Sequence, residues 1–192
     1  MKLQGALLIG GRSRRMGRPK SQMPINGTTW GGYLCELLQE VTGQVPVLLG
    51  EGSIGPSDDL YRRVPDREVG AGPLSGLLGF FDACPKQDLL LLATDMPLLN
   101  MDALSWLIDQ AERTECHAVW PRFSERDIGE PLGAIYRHSV RNTLEAAWLQ
   151  GLRGPVRALP AELRFEPVIP DPYRVCFSNF NSPNEVERSA QK

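Results

Sequence analysis

The sequence predicts an α/β fold: a three-layer α/β/α domain in which helices cover both faces of a mainly parallel, twisted sheet. Apolar runs of strand length alternate along the chain with segments whose apolar residues recur at helical spacing. In the run at residues 88–94, the five consecutive positions 89–93 are apolar, which is typical of a strand covered on both faces. Open sheets of this kind bind their ligands at the carboxyl ends of the strands, so the functional site is expected there.

The individual elements follow from apolar periodicity and from start and stop signals. Thr28 or Thr29 is a suitable cap for the first helix, Pro73 suits the first position of the second, and Asn100 can cap the third. The Gly- and Pro-rich stretch at residues 50–59 is predicted to be an exposed loop. Strands are predicted over residues 3–9, 45–49, 63–66, 88–94, 117–120, 132–136 and 165–169. Helices are predicted over residues 30–41, 73–83, 101–113 and 139–149, with a short final helix from Pro183.

The composition is that of one domain covering residues 1–192, with a local rather than a global concentration of positive charge. The net charge is -2, which does not favour nucleic acid or an anionic membrane as a partner. Four cysteines lie far apart and only two histidines are present, so we expect reduced thiols and no His-based zinc site. There is no secretory pattern and no uncharged stretch long enough to span a bilayer, so the protein is expected to be cytoplasmic.

The most informative stretch lies directly after the first predicted strand. The glycine pair Gly10-Gly11 is followed by four arginines, a third glycine and Lys20. Glycines let the backbone turn sharply and approach a ligand, while Arg and Lys supply donors and positive charge, so the pattern favours a polyphosphate. The alternative interpretation is an ordinary strand-to-helix turn with solvated arginines. The stretch matches neither a Walker A loop nor a dinucleotide-binding fingerprint, so kinase-like and nicotinamide chemistry are not supported.

Two acidic residues follow predicted parallel strands and should lie at the same edge of the sheet. Asp95 follows the Leu-rich strand, where a lone carboxylate is costly to bury. Mg²⁺ with phosphate oxygens would offset that cost, and the alternative is a helix or turn cap. Asp66 is the second candidate, although it could instead pair with neighbouring arginines, namely Arg62, Arg63 and Arg67.

The chain resembles the nucleotidyltransferases, and within them the MobA-type molybdenum cofactor guanylyltransferases. The resemblance covers nearly the whole chain and rests on several motifs that occur in order and at matching spacing. These motifs are Gly10-Gly11, Arg12-Ser13-Arg14-Arg15-Met16-Gly17 with Lys20, Asp66, Gly72-Pro73-Leu74-Ser75-Gly76, Thr94-Asp95-Met96-Pro97 and Asn179-Phe180-Asn181-Ser182-Pro183. The sequence departs from the family pattern at Ile9, where the family has Ala, and at Ser182, where it has Thr. The fold implied is Rossmann-like and similar to that of the nucleotide-diphospho-sugar transferases.

The resemblance implies a role for each matching residue. Leu8, Ile9, Gly10 and Gly11 would present backbone groups to the nucleotide, and Asp66 would belong to the same site. The catalytic residues would be Arg15, Lys20 and Asp95, of which Arg15 and Lys20 would hold the phosphates and Asp95 would ligate Mg²⁺. On the molybdopterin side the resemblance implies Gly72, Gly76, Asn179 and Asn181. The two asparagines could equally be turn-forming residues ahead of Pro183.

The reaction implied is the transfer of GMP from GTP to molybdenum-bearing molybdopterin, with release of pyrophosphate. Acceptor molybdoenzymes or their chaperones are the further partners that the resemblance suggests. Two alternatives stay open: a molybdopterin cytidylyltransferase or sugar-phosphate nucleotidyltransferase of the same fold, and a nucleotide-binding regulator without turnover. The second strand region, which ends at Gly50-Glu51, lacks an Asn that some relatives offer to the base, so it does not decide between guanine and cytosine.

Overall fold

A computed structural model of the chain describes residues 2–9, 19–25 and 27–190. Nine strands and six α-helices are assigned in these ranges. The strands are β1 (Leu3–Leu8), β2 (Pro24–Ile25), β3 (Thr28–Thr29), β4 (Val47–Leu49), β5 (Arg62–Val64), β6 (Asp88–Ala93), β7 (Ala118–Val119), β8 (Gly133–Tyr136) and β9 (Arg164–Phe165). The helices are α1 (Trp30–Thr42), α2 (Pro73–Ala83), α3 (Met101–Glu112), α4 (Arg141–Leu149), α5 (Pro155–Ala158) and α6 (Pro183–Ala190).

Seven strands form one sheet in the order β5-β4-β1-β6-β8-β7-β9. β8 runs antiparallel to both of its neighbours, whereas β1 pairs in parallel with β4 and β6, β4 with β5, and β7 with β9. The prediction of a mainly parallel sheet is confirmed. The reversal of β8 was not predicted, because the apolar pattern of a buried strand does not depend on its direction. The small β2–β3 hairpin and the one-turn helix α5 were not predicted either.

Two apolar cores lie on opposite faces of the sheet, which gives the three predicted layers. Leu90 and Leu92 of β6 belong to the core that α1 and α3 cover, whereas Leu89 and Leu91 belong to the core that α2 and α4 cover. Side chains alternate between the faces of a strand, so a strand buried on both faces must be apolar throughout. This explains the uninterrupted leucine run that predicted the fold.

The predicted start signals lie at the helix ends. Thr29 Oγ1 accepts a hydrogen bond from Gly32 N at 3.0 Å, and Asn100 Oδ1 accepts one from Ala103 N at 2.9 Å. Pro73 is the first residue of α2, as expected. Each cap satisfies a backbone donor that the first helical turn leaves unpaired. Among the described residues, none of the helices combines the length and the apolar character that a membrane span requires.

Candidate active site

A cleft of about 740 Å³ opens at the carboxyl edge of the sheet, beside β1, β4 and β5. Its described lining combines backbone-exposing glycines with two carboxylates. The lining residues are Leu8, Ile9, Pro19, Glu51, Gly52, Asp66, Val69, Gly70, Gly72 and Pro73. Leu8, Ile9 and Asp66, which the resemblance places at the nucleotide, therefore line one cavity. Gly10, Gly11 and Arg15 lie outside the described residues.

Main-chain groups form part of this cleft because two segments approach each other closely. Ile9 N donates a hydrogen bond to Leu49 O at 3.0 Å, so the chain continues the sheet beyond the end of β1. Gly52 lies against the carbonyl of Ile9 so closely that a Cβ on residue 52 would overlap the carbonyl oxygen. Only glycine fits at this position without a backbone shift.

Asp66 lies between β5 and α2 with its carboxylate against the start of that helix. A Cβ on Gly76 would be 3.2 Å from Asp66 Oδ1, so the absence of a side chain at residue 76 makes room for the carboxylate. Oδ1 is buried, and no hydrogen-bond partner for it occurs among the described residues. Burial raises the pKa of Asp66, and the negative charge of Glu51 raises it further. The carboxylate is thus left to accept donors from a ligand.

Among the described residues, Asp66 forms no ion pair with a neighbouring arginine, so the ion-pair alternative is not supported. The adjacent Arg67 pairs with Asp82 and Glu145, and Arg63 pairs with Asp58. Gly72 and Gly76 lie on this side of the site, since Gly72 lines the cleft and Gly76 contacts Asp66. Their assignment to molybdopterin stays a prediction.

Asp95 follows β6 and lies at the same edge of the sheet. Its Oδ1 is buried and has no hydrogen-bond partner in the part of the chain that the structure describes. Burial raises the pKa of Asp95, while the positive charge of Lys20 opposes the rise. The cap of α3 is Asn100, so Asp95 does not cap that helix, but it does lie in the turn that follows β6. An unpartnered carboxylate oxygen beside a lysine suits a bound cation together with phosphate oxygens.

The C-terminal segment at residues 179–181 joins Asp95 and Lys20. Phe180 N donates a hydrogen bond to the Asp95 carbonyl at 2.7 Å. Lys20 Nζ donates one to Asn181 Oδ1 at 2.8 Å, and Asn181 N donates one to Glu185 Oε2 at 2.8 Å. The structure therefore brings together Lys20, Asp95 and Asn181, which come from three distant parts of the sequence and for which the resemblance implies functional roles.

Glu130 is a residue of this region that sequence reasoning missed. Burial raises the pKa of Glu130, and the negative charge of Asp95 raises it further. Hydrogen bonds from the Leu132 N–H and from the amide of Asn179 oppose the rise. Glu130 reaches the site because β8 is antiparallel, so the loop that precedes β8 arrives where β6 ends. The available signal was an acid two residues before a predicted strand, but it becomes informative only once the direction of that strand is known.

No cluster of three or more metal-ligating side chains occurs within residues 2–9, 19–25 and 27–190. This does not conflict with Mg²⁺ chemistry, because Mg²⁺ is usually held by one or two carboxylates together with substrate phosphates and water. The buried Oδ1 of Asp95 fits that pattern.

The four cysteines are free thiols, as expected, and three of them are buried.

Comparison with known proteins agrees with this geometry. Residues 5–164 match the family described as "MobA-like NTP transferase domain". The chain is 31% identical over 199 residues to the "Probable molybdenum cofactor guanylyltransferase" of Opitutus terrae, covering 99% of this chain and 96% of that protein. It is 28% identical over 193 residues to the protein of the same description from Thermococcus kodakarensis, covering 96% and 92%.

Solved structures show the same fold. Molybdopterin-guanine dinucleotide biosynthesis protein A from Archaeoglobus fulgidus superposes with a TM-score of 0.75 at 24% identity, covering 98% of this chain and 97% of that one. The 2-C-methyl-D-erythritol 4-phosphate cytidylyltransferase from Thermus thermophilus gives a TM-score of 0.64 at 13% identity, covering 97% and 96%. With a family match over most of its length and a nucleotidyltransferase fold, the chain belongs to the MobA-like NTP transferase family.

Proposed function

We propose that the protein is a molybdenum cofactor guanylyltransferase, which transfers GMP from GTP to molybdopterin and releases pyrophosphate. The observation that carries the proposal is the convergence of Lys20, Asp95 and Asn181 at the edge of the sheet where the cleft containing Asp66 opens. The identity of the nucleotide and of the acceptor is supported by relatives at about the 30% level that carry this description over nearly the full chain.

The chemistry requires positioning and charge neutralisation more than it requires a protein nucleophile. An oxygen of the terminal phosphate of molybdopterin attacks the α-phosphorus of GTP in line. The bond from that phosphorus to the oxygen bridging to the β-phosphate breaks, and pyrophosphate carries away the electron pair. Because the attacking oxygen is already ionised, no Ser, Cys or His needs to be activated. Rate acceleration then rests on held geometry and fixed positive charge.

The residues of this chain supply these functions from two sides. Lys20 provides positive charge for the phosphates, and its hydrogen bond to Asn181 fixes its amine. Asp95 would hold Mg²⁺, which would supply positive charge to offset the negative charge of the phosphates. Asp66 offers an acceptor to the nucleoside part of GTP, because its Oδ1 has no partner among the described residues. Asn179 and Asn181 are assigned to the molybdopterin side. Acceptor molybdoenzymes or their chaperones would receive the product.

Pyrophosphate release with each of the four NTPs tests the proposal, measured with molybdopterin, with a sugar phosphate and without an acceptor. We expect release only when GTP, Mg²⁺ and molybdopterin are all present. Release with CTP in place of GTP would instead identify a cytidylyltransferase. Release with a sugar phosphate but not with molybdopterin would identify a sugar-phosphate nucleotidyltransferase. Nucleotide binding without release under any of these conditions would identify a regulator.

A further inference from the structure

Arg67 directly follows Asp66 but makes its contacts away from the cleft. Its Nη1 donates to both carboxylate oxygens of Glu145 on α4, at 2.7 and 2.6 Å. Its Nε and Nη2 donate to Asp82 Oδ2 on α2, at 3.2 and 2.7 Å. Arg141, the first residue of α4, donates to the other oxygen of Asp82 at 2.7 Å. One guanidinium therefore ties the loop after β5 to two helices.

The backbone of the same loop is fastened to the first turn of α2. The fully buried Ser75 uses its hydroxyl twice, accepting from Glu68 N at 2.7 Å and donating to Glu68 O at 2.9 Å. Arg67 N donates to Ser75 O at 3.3 Å. Asp66 is thus followed by two residues, Arg67 and Glu68, that are each bonded to α2.

The restraint matters because the position of Asp66 is unfavourable by itself. A carboxylate oxygen that is buried without a donor loses hydration, and a mobile loop would turn it towards water. Gly76 leaves space for the carboxylate and, as a glycine, has no side chain that could donate to it. The hydrogen bonds of Arg67, on the other side of the loop, oppose this movement of the Asp66 carboxylate towards water.

We propose that Arg67 is a positioning residue for the nucleotide: by bonding Asp82 and Glu145 it holds the Asp66 loop against α2 and α4 and keeps the Asp66 carboxylate directed into the cleft. This inference rests on the proposed function, in which Asp66 contacts GTP. The planar fork of arginine reaches two carboxylates at once, whereas lysine is a single point charge. Arg67→Lys is therefore expected to restore only part of the effect.

A double-mutant cycle on nucleotide binding tests the inference. The affinity of Mg²⁺-GTP, without molybdopterin, is measured by calorimetry for wild type, Asp66→Ala, Arg67→Met and the double variant. We expect Arg67→Met to weaken binding about tenfold in the wild-type background and less than about twofold when Asp66 is already absent. If Arg67 only stabilised the fold, Arg67→Met would weaken GTP binding by the same factor with and without Asp66.

The controls separate the possible outcomes. Arg113→Met removes an exposed arginine whose partner Asp109 is 3.8 Å away, and it should leave GTP affinity unchanged. Glu145→Ala removes one partner of Arg67 and provides the same test should Arg67→Met fail to fold. Unchanged binding by Asp66→Ala would refute the nucleotide role of Asp66 and with it that part of the proposed function. If Asp66→Ala weakens GTP binding, either of two results would refute the inference alone. Arg67→Met could bind GTP normally, or it could weaken binding as much in the Asp66→Ala background as in wild type.

Discussion

Lys20 donates a hydrogen bond to Asn181 over 2.8 Å, although 161 positions of sequence separate the two residues. The contact lies at the edge where β6 ends, because Phe180 is bonded to the Asp95 carbonyl. A flexible lysine held in one place by a neutral acceptor keeps its charge available for another anion.

Replacement of Lys20 tests the importance of that charge. We expect Lys20→Ala to lower kcat/KM for GTP by about 100-fold, because a fixed cation near the phosphates is lost. Asn181→Ala should cost less, about tenfold, since the lysine stays but is no longer held. Steady-state pyrophosphate release measures both changes. The exposed Lys86 provides the matched control, and Lys86→Ala should behave as wild type. A Lys20→Ala enzyme with normal kinetics would contradict the assignment.

Asp95→Asn should lower the activity without lowering the thermal stability. The variant keeps the shape of the side chain but removes a carboxylate whose Oδ1 is buried and has no partner among the described residues. We expect turnover to fall by at least about 100-fold. The Tm of the unliganded protein should stay equal or rise, because burying a neutral amide costs less than burying a charge. Thermal unfolding and pyrophosphate assays on the same preparation measure the two effects. A large fall in Tm would show that Asp95 has a mainly structural role.

The ion pairs of Asp82 should make a pH-dependent contribution to the free energy of unfolding. Burial would raise the pKa of Asp82, but hydrogen bonds from Arg67 and Arg141 outweigh burial and lower it. A carboxyl with a lowered folded-state pKa stabilises the fold at pH values above its unfolded pKa, and the stabilisation disappears as pH falls through the folded pKa. The side chain is 41% exposed, so solvent limits its contribution to about 1 kcal/mol.

Urea unfolding of Asp82→Asn across the pH range measures this contribution. Wild type should be more stable than the variant at pH 7, and the difference should shrink once the pH falls below about 4. Asp109→Asn, on an exposed and longer ion pair, is the control and should show little difference at any pH. A wild-type advantage that persists undiminished at low pH would mean that the carboxyl acts through its shape and not its charge.

Gly52→Ala should damage the cleft directly. A Cβ at this position would overlap the Ile9 carbonyl oxygen, so the backbone beside the cleft must move. We expect a loss of roughly 2 kcal/mol in the free energy of unfolding, as for other overpacked sites, together with weaker GTP binding. Gly154→Ala adds the same methyl group where no described atom lies within 4 Å, and it should change the free energy of unfolding by less than about 0.5 kcal/mol. Equal effects of the two substitutions would disprove the close approach at Gly52.

Local signals were sufficient to predict much of the fold. The α2 bounds and the Asn100 cap were predicted correctly because proline, glycine and capping side chains act within one helical turn. The strand over 45–49 begins only at Val47, where pairing with β1 starts. The β2–β3 hairpin was missed because its strands have two residues each, although the Asn26-Gly27 pair between them is a known hairpin signal.

The candidate site shows the same division between local and long-range information. Asp95 could be selected because an acid directly after an apolar strand is conspicuous in the sequence itself, and Asp66 because it ends a short predicted strand. Glu130 could not be selected, since its proximity to Asp95 depends on the reversal of β8. The role proposed for Arg67 likewise depends on partners in two helices that only the folded chain brings within reach.

The reversal of β8 determines how one connection reaches the site. The loop over residues 120–132 enters the functional edge from the side opposite to the loops that follow β1, β4 and β5. Insertions there can lengthen one wall of the enzyme without altering the hydrogen-bond register of the parallel strands. A change in the length of this single connection would therefore leave in place the parallel strands whose carboxyl ends precede Asp66 and Asp95.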